Sequence, residues 1–273
     1  MLQSSKESER RKAIYELGIS TNEESLHLLK TALDDSDIIV QRLAIAALGK
    51  SADTSVLPAL ELKFSTSASA VVKSDIARVL VNFSSSAVKN FLVNIFEDEN
   101  PLVLKEAMDV AASLRIEETK AVILNFLKNQ IPEIRKAAVQ SVARYPIREA
   151  AGDLKNIIFS EPEPGIRSEI LLAIARIAPW DIDFFSRVFA EESDPAVILE
   201  AGMILARSGI ELDPEKLLSF LSSSDSEIRM KTAQIMTFFI KEKPVREAFE
   251  TLRNDPDDKI KKFVESVLSG GKK

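Results

Sequence analysis

The sequence predicts an all-α fold, a superhelical solenoid of about eight two-helix repeats led by half a repeat. Three observations carry that prediction. The stretch Asp194-Pro195-Ala196-Val197 opens with a capping carboxylate and a proline at the first helical position, then places Ala201, Ile204 and Leu205 on one helical face. The carboxylate accepts a bond from an otherwise orphaned backbone N–H, and proline has no N–H to orphan there. The same pattern returns at a fixed interval. Its first buried residue falls at Val40, Val72, Val103, Ile134, Ile166, Val197, Ile228 and Ile260, in steps of 31 or 32 residues. A fixed period of this size marks units that bury their apolar faces only by stacking on neighbours. The vocabulary agrees: 8 glycines in 273 residues, abundant Leu, Ile, Ala, Glu and Lys, and no run alternating as a strand would.

In chain order, residues 6–17 match a second helix without a preceding partner, since Ala13 stands 31 residues before Ala44. The charged Lys6, Glu7, Glu9 and Arg10 suit a terminal cap, which needs a polar outer surface. First helices are then predicted at about 22–33, 54–65, 86–97, 118–129, 148–160, 180–191, 213–223 and 244–254. Each carries an apolar stripe, such as Leu26, Leu29 and Leu33, or Phe185, Val188 and Phe189. Second helices are predicted at about 37–49, 69–83, 101–114, 132–145, 164–177, 195–208, 226–240 and 256–268. Short turns rich in Ser, Asp, Asn and Pro join them. No linker interrupts the period, so a single domain over 1–273 is expected, with eight helix pairs over 20–269 and a tail at 270–273.

A unit of about 31 residues whose second helix opens as in Pro132-Glu133-Ile134-Arg135-Lys136-Ala137-Ala138, or Asp225-Ser226-Glu227-Ile228-Arg229, resembles the HEAT-like repeat of the phycobilisome-lyase type. The resemblance covers nearly the whole chain. It implies a right-handed superhelix whose second helices line the concave side. It also implies a ladder between basic residues just after the buried Val or Ile (Arg10, Lys73, Arg135, Arg167, Arg229) and polar caps three before it (Asp37, Ser69, Asn100, Glu163, Asp194, Asp225).

Composition bounds the chemistry. The net charge of −6 opposes binding through nucleic-acid phosphates, which needs a basic surface. Without Cys there is no disulfide, thiolate metal site or thiol nucleophile. His27 is the sole histidine. Deoxyhypusine hydroxylase, a related solenoid, binds di-iron through repeated His-Glu pairs, whereas His27 is followed by Leu28. A catalytic zinc likewise wants several ligands. The clusters Asp34-Asp35-Ser36-Asp37 and Asp255-Pro256-Asp257-Asp258 lack the spacing of a calcium loop and read as helix caps. Trp180 reads as a packing residue. No cofactor, metal or membrane segment is expected, and a cytoplasmic location fits.

Function is then expected on the exposed ridge of the second helices. With the buried Val or Ile as position 0, positions +3, +6 and +10 share a face. Arg144, Arg176 and Arg207 occupy +10 in three successive repeats, and Leu172, Leu199, Met203, Met230 and Phe238 lie beside them. An apolar patch with a cationic rim suits a protein or peptide partner, in a non-catalytic scaffold or adaptor. The alternatives are a bilin lyase-like enzyme or chaperone subunit, which the resemblance permits, and a nucleic-acid-binding protein using the arginine column.

Overall fold

The computed structural model describes residues 2–20 and 22–270, and among them it contains helices and no strand. Met1, Thr21 and Gly271–Lys273, the last being most of the expected tail, lie outside the described residues. Contacts divide the chain into two compact units, Met1–Ala150 and Ala151–Lys273.

The first unit holds α1 (Glu7–Leu17), α2 (Glu23–Thr31), α3 (Ile38–Ser51), α4 (Leu57–Thr66), α5 (Ala70–Val79), α6 (Ser85–Ile95), α7 (Pro101–Leu114), α8 (Lys120–Phe126) and α9 (Pro132–Arg144). α10 (Ala150–Ile157) begins at the boundary. The second unit continues with α11 (Pro164–Ile177), α12 (Ile182–Glu191), α13 (Pro195–Arg207), α14 (Pro214–Leu218), α15 (Ser226–Met236), α16 (Lys243–Leu252) and α17 (Asp258–Leu268). Even-numbered helices are first helices, and odd-numbered ones from α3 onward are second helices. Several run shorter than predicted because an end tightens into a 3₁₀ turn: Leu80–Asn82 closes α5, Glu117–Thr119 leads into α8 and Ser219–Ser222 closes α14. Such turns satisfy terminal groups left without an i→i−4 partner.

The caps explain where helices begin. Asp37, Asn100, Asp194, Asp225 and Asp257 each accept a backbone N–H of the following first turn. Glu163 makes no such bond, and Pro164 at the first position takes over the role of starting α11.

The core sits where each second helix meets its own first helix and its neighbours in the row. Val40, Val72, Val103 and Val197 are wholly buried, as are Ala44, Ala107, Ala138 and Ala201 one turn on. Ile204 and Ile228, expected inside, are only half-buried. Small residues let the row close up: a Cβ added to Gly49 in α3 would lie 2.8 Å from Val79 Cγ1 in α5 and still nearer its Cβ. Within each unit the second helices pack directly along their row, while the first helices touch their successors much less. A stack that is tighter on one side makes that side its inner face.

Candidate partner-binding surface

Ionic contacts set how successive second helices stand. The basic residue at +1 reaches the next repeat, but its acceptor lies five before the buried residue rather than at the cap. Arg10 donates to Asp35 through Nε at 2.8 Å and Nη2 at 2.9 Å. Lys73 bonds Asp98 at 2.9 Å, Arg167 holds Glu192 at 2.8 and 3.1 Å, and Arg229 holds Asp255 at 2.8 and 2.9 Å. Most cap side chains serve their own helix, while the −5 carboxylate faces the +1 cation of the preceding repeat. The −5 carboxylate has a second task, accepting the backbone N–H of the cap residue: Asp37 to Asp35, Asp194 to Glu192 and Asp257 to Asp255. The ladder implied by the resemblance therefore exists two residues earlier in the turn. Asp37 does take a cation besides its helix N–H, Arg11 at +2.

A second network runs along the exposed ridge of the first unit. Asp75 takes Arg42 Nε at 2.5 Å and Arg78 Nη1 at 2.9 Å, and Arg78 Nη2 continues to Glu106 at 2.9 Å. Arg144 closes onto Asp109 and, at 3.2 Å, onto Ser113 Oγ. The Arg144 guanidinium is thus paired within its own unit, beside a cavity of about 210 Å³ lined by Lys105, Asp109, Gln140 and Ser141.

In the second unit the ridge carries most of the residues singled out from sequence. Leu172 is 41% exposed and Phe238 52%, with Arg176 and Arg207 exposed beside them. Met203 and Met230 are half-buried. Leu199 is a correction: at 1% exposure it belongs to the core. Position +2 lies at the border of the buried face, where a long cation extends its head to water while an apolar side chain is covered by the neighbouring helix. Burial pushes the Glu200 carboxyl above its ordinary range; Lys231 and Arg207 oppose that shift, and Glu169 adds to it. The ridge is therefore apolar at Leu172, Met203 and Phe238, cationic at Arg176 and Arg207, and carries a carboxyl that ionises reluctantly.

Residues 1–81 match the HEAT repeats family. Comparison with curated proteins returns no match. Among known structures the fold is similar to a chain of the full-length AP-3 complex in an intermediate open conformation, at 12% identity and a TM-score of 0.74. That likeness covers 96% of this chain and 54% of the other, so this chain spans about half the length of its counterpart. Yeast importin-β (Kap95p) is similar at 12% identity and a TM-score of 0.65, over 96% of this chain and 42% of that one. E. coli YibA is similar at 17% identity and a TM-score of 0.62, over 99% of each. At these identities the likeness speaks for the fold. The chain folds as an α-solenoid, and the match to HEAT repeats extends over residues 1–81.

Within these two-helix repeats the ridge begins earlier than the sequence reading placed it. Position −1 lies one turn before +3 on the same face, and it holds Ile39, Val71 and Leu102, which are 42%, 38% and 40% exposed. In α1 and the turn that follows it the corresponding stripe exposes Tyr15 and Ile19, 72% and 70%. The repeat register alone locates all of them, because each follows from its distance to the buried residue. Trp180 is also a correction: in the turn between α11 and α12 it is 69% exposed. His27 is exposed on α2, and among the described residues no group of three or more metal-ligating side chains converges. No described helix is long and apolar enough to cross a membrane.

Proposed function

We propose that this chain is a non-catalytic interaction scaffold that binds a partner protein or peptide on the second-helix face of its second unit. One observation carries the reading. Leu172 and Phe238 stay exposed on α11 and at the end of α15, with half-buried Met203 on α13 between those helices and Arg176 and Arg207 at the rim. Apolar side chains on a rigid helical row, framed by cations, supply contact area at the centre and orientation at the edge. The fold agrees, because a helical stack offers a long, pre-formed face and little enclosed space for chemistry. The partner expected is an amphipathic segment bearing acidic residues.

The test is capture of partners by the immobilised chain and by Leu172→Asp, Phe238→Asp and Arg176→Glu. Leu62→Asp serves as control, at an exposed apolar site on the first helix α4. The two ridge apolar variants should lose the partner, and Arg176→Glu should lose it more at low salt than at high salt, since screening weakens rim charges. Equal capture by all four variants would remove the ridge as the binding site.

A further inference from the structure

Ile39, Val71 and Leu102 open α3, α5 and α7 at the same register position and form an apolar row across three neighbouring helices of the first unit. The ridge ion pairs show that these helices stand abreast. Arg42 at +2 meets Asp75 at +3, and Arg78 at +6 meets Glu106 at +3, so equivalent positions differ in height by no more than about a turn. Helices packed in this way lie about 8–10 Å apart, which sets the spacing of the row. A polyproline II helix returns to the same face every three residues, about 9 Å along its axis. A β-strand returns every two residues, about 6–7 Å. The row therefore matches the polyproline II repeat.

Charge specifies the rest of the occupant. Three positions further along, one turn from the row, +2 carries Arg42 in α3, Ser74 in α5 and Lys105 in α7, and the same position holds Lys136 in α9, where the row itself gives way to Glu133. Lys105 and Lys136 are exposed and enter no ion pair among the described residues. The neighbouring acids Asp75 and Glu106 are already paired with Arg42 and Arg78. The strip beside the apolar row is thus left with surplus positive charge at helix N-termini, whose dipoles add to it. We propose that this strip docks an acidic peptide in the polyproline II conformation with an apolar side chain at every third position. Ile39, Val71 and Leu102 take the apolar side chains, and Lys105 and Lys136 face the carboxylates. The site is distinct in residues and in unit from the ridge of α11, α13 and α15.

The experiment is fluorescence-anisotropy titration of the full chain with a labelled peptide of four Glu-Pro-Leu repeats. The comparison probes are a Lys-Pro-Leu peptide, a Glu- and Leu-rich peptide with leucines at helical spacing, and a thymidine oligonucleotide of equal length. The expected result is saturable binding of the Glu-Pro-Leu peptide, about tenfold tighter than any comparison probe. Ile39→Asp and Leu102→Asp should each weaken it by about tenfold or more. Lys105→Glu combined with Lys136→Glu should weaken it strongly at low salt and less at high salt. All four positions are exposed, and circular dichroism checks that the variants keep their helices. Failure of the Glu-Pro-Leu peptide to bind, equal affinity for the lysine peptide, preference for the helical peptide or the oligonucleotide, or wild-type affinity in the variants would each overturn the proposal. Phe238→Asp should leave this binding unchanged. If it abolished binding instead, the peptide would sit on the second-unit ridge, which would overturn this site and leave the scaffold reading standing.

Discussion

Arg229 and Asp255 face each other across two repeats, 6% and 5% exposed, and Arg229 Nη1 also donates to the carbonyls of Ser223 and Ser224. Removal of the carboxylate leaves Nε and Nη2 of a buried guanidinium without their acceptors, and water cannot fully replace it. Asp255→Ala should therefore lower the melting temperature far more than Asp258→Ala, whose pair with Lys261 is largely in water. Calorimetry at pH 7 checks this. The Arg229 hydrogen bond holds the Asp255 carboxyl below its ordinary range, so the folded state keeps it ionised longer than the unfolded state does. That stability is complete above the unfolded value of about 3.9 and fades as pH falls through the folded one. Asp255→Asn should accordingly flatten the acid limb of a plot of melting temperature against pH. Glu200 works in the opposite direction. Its raised value means that ionisation at neutral pH costs stability, so Glu200→Gln should raise the melting temperature slightly at pH 7. The gain should vanish near and below about pH 4, where both folded and unfolded chains protonate the acid. No gain at pH 7 would show that the carboxyl is well solvated.

At the scale of the helix, stability rests on how closely the second helices approach. Gly49 is buried in the last full turn of α3, and Val79 of α5 occupies the space a side chain would need. Gly49→Ala gains helix propensity but must push two helices apart, and overpacking of this kind costs about 1–3 kcal/mol. Ala201, wholly buried in α13, gives the same prediction for the second unit: Ala201→Leu should cost about 1–3 kcal/mol. Because each repeat is held chiefly by its neighbours, amide protection should fall first in α11, α13 and α15 and leave α3 and α5 unchanged. Uniform loss across both units would contradict that locality. Helix starts were legible in the sequence because caps and prolines are local chemistry. The ends of α5, α14 and α15, the last followed by the turn Thr237–Phe239, and the start of α8 were not, because a 3₁₀ turn forms where packing tightens the chain and no single residue type announces it. The ladder shows a similar limit. The cap carboxylates were visible, but which side chain of the turn meets the cation of the preceding repeat (Asp35, Asp98, Glu192 and Asp255 rather than the cap) is a matter of geometry.

Over the whole chain, the period carried the inference furthest. It located the buried column and the exposed ridge together, since each follows from the other by helical geometry. It failed at Leu199, where the border of the buried face is decided by side-chain length, and at Trp180, which the turn before α12 turns outward. It also had more to give than was taken from it at Ile39, Val71 and Leu102. The acidic net charge hides this organisation, because many cations are placed between repeats or along the second-helix face. The central claim is that second helices, not first helices, present the binding surface. Hydrogen exchange of the chain alone and in complex with a captured partner tests it most directly. The account predicts added protection in α11, α13 and α15, with α12, α14 and α16 unchanged; protection confined to α12, α14 and α16 would contradict it.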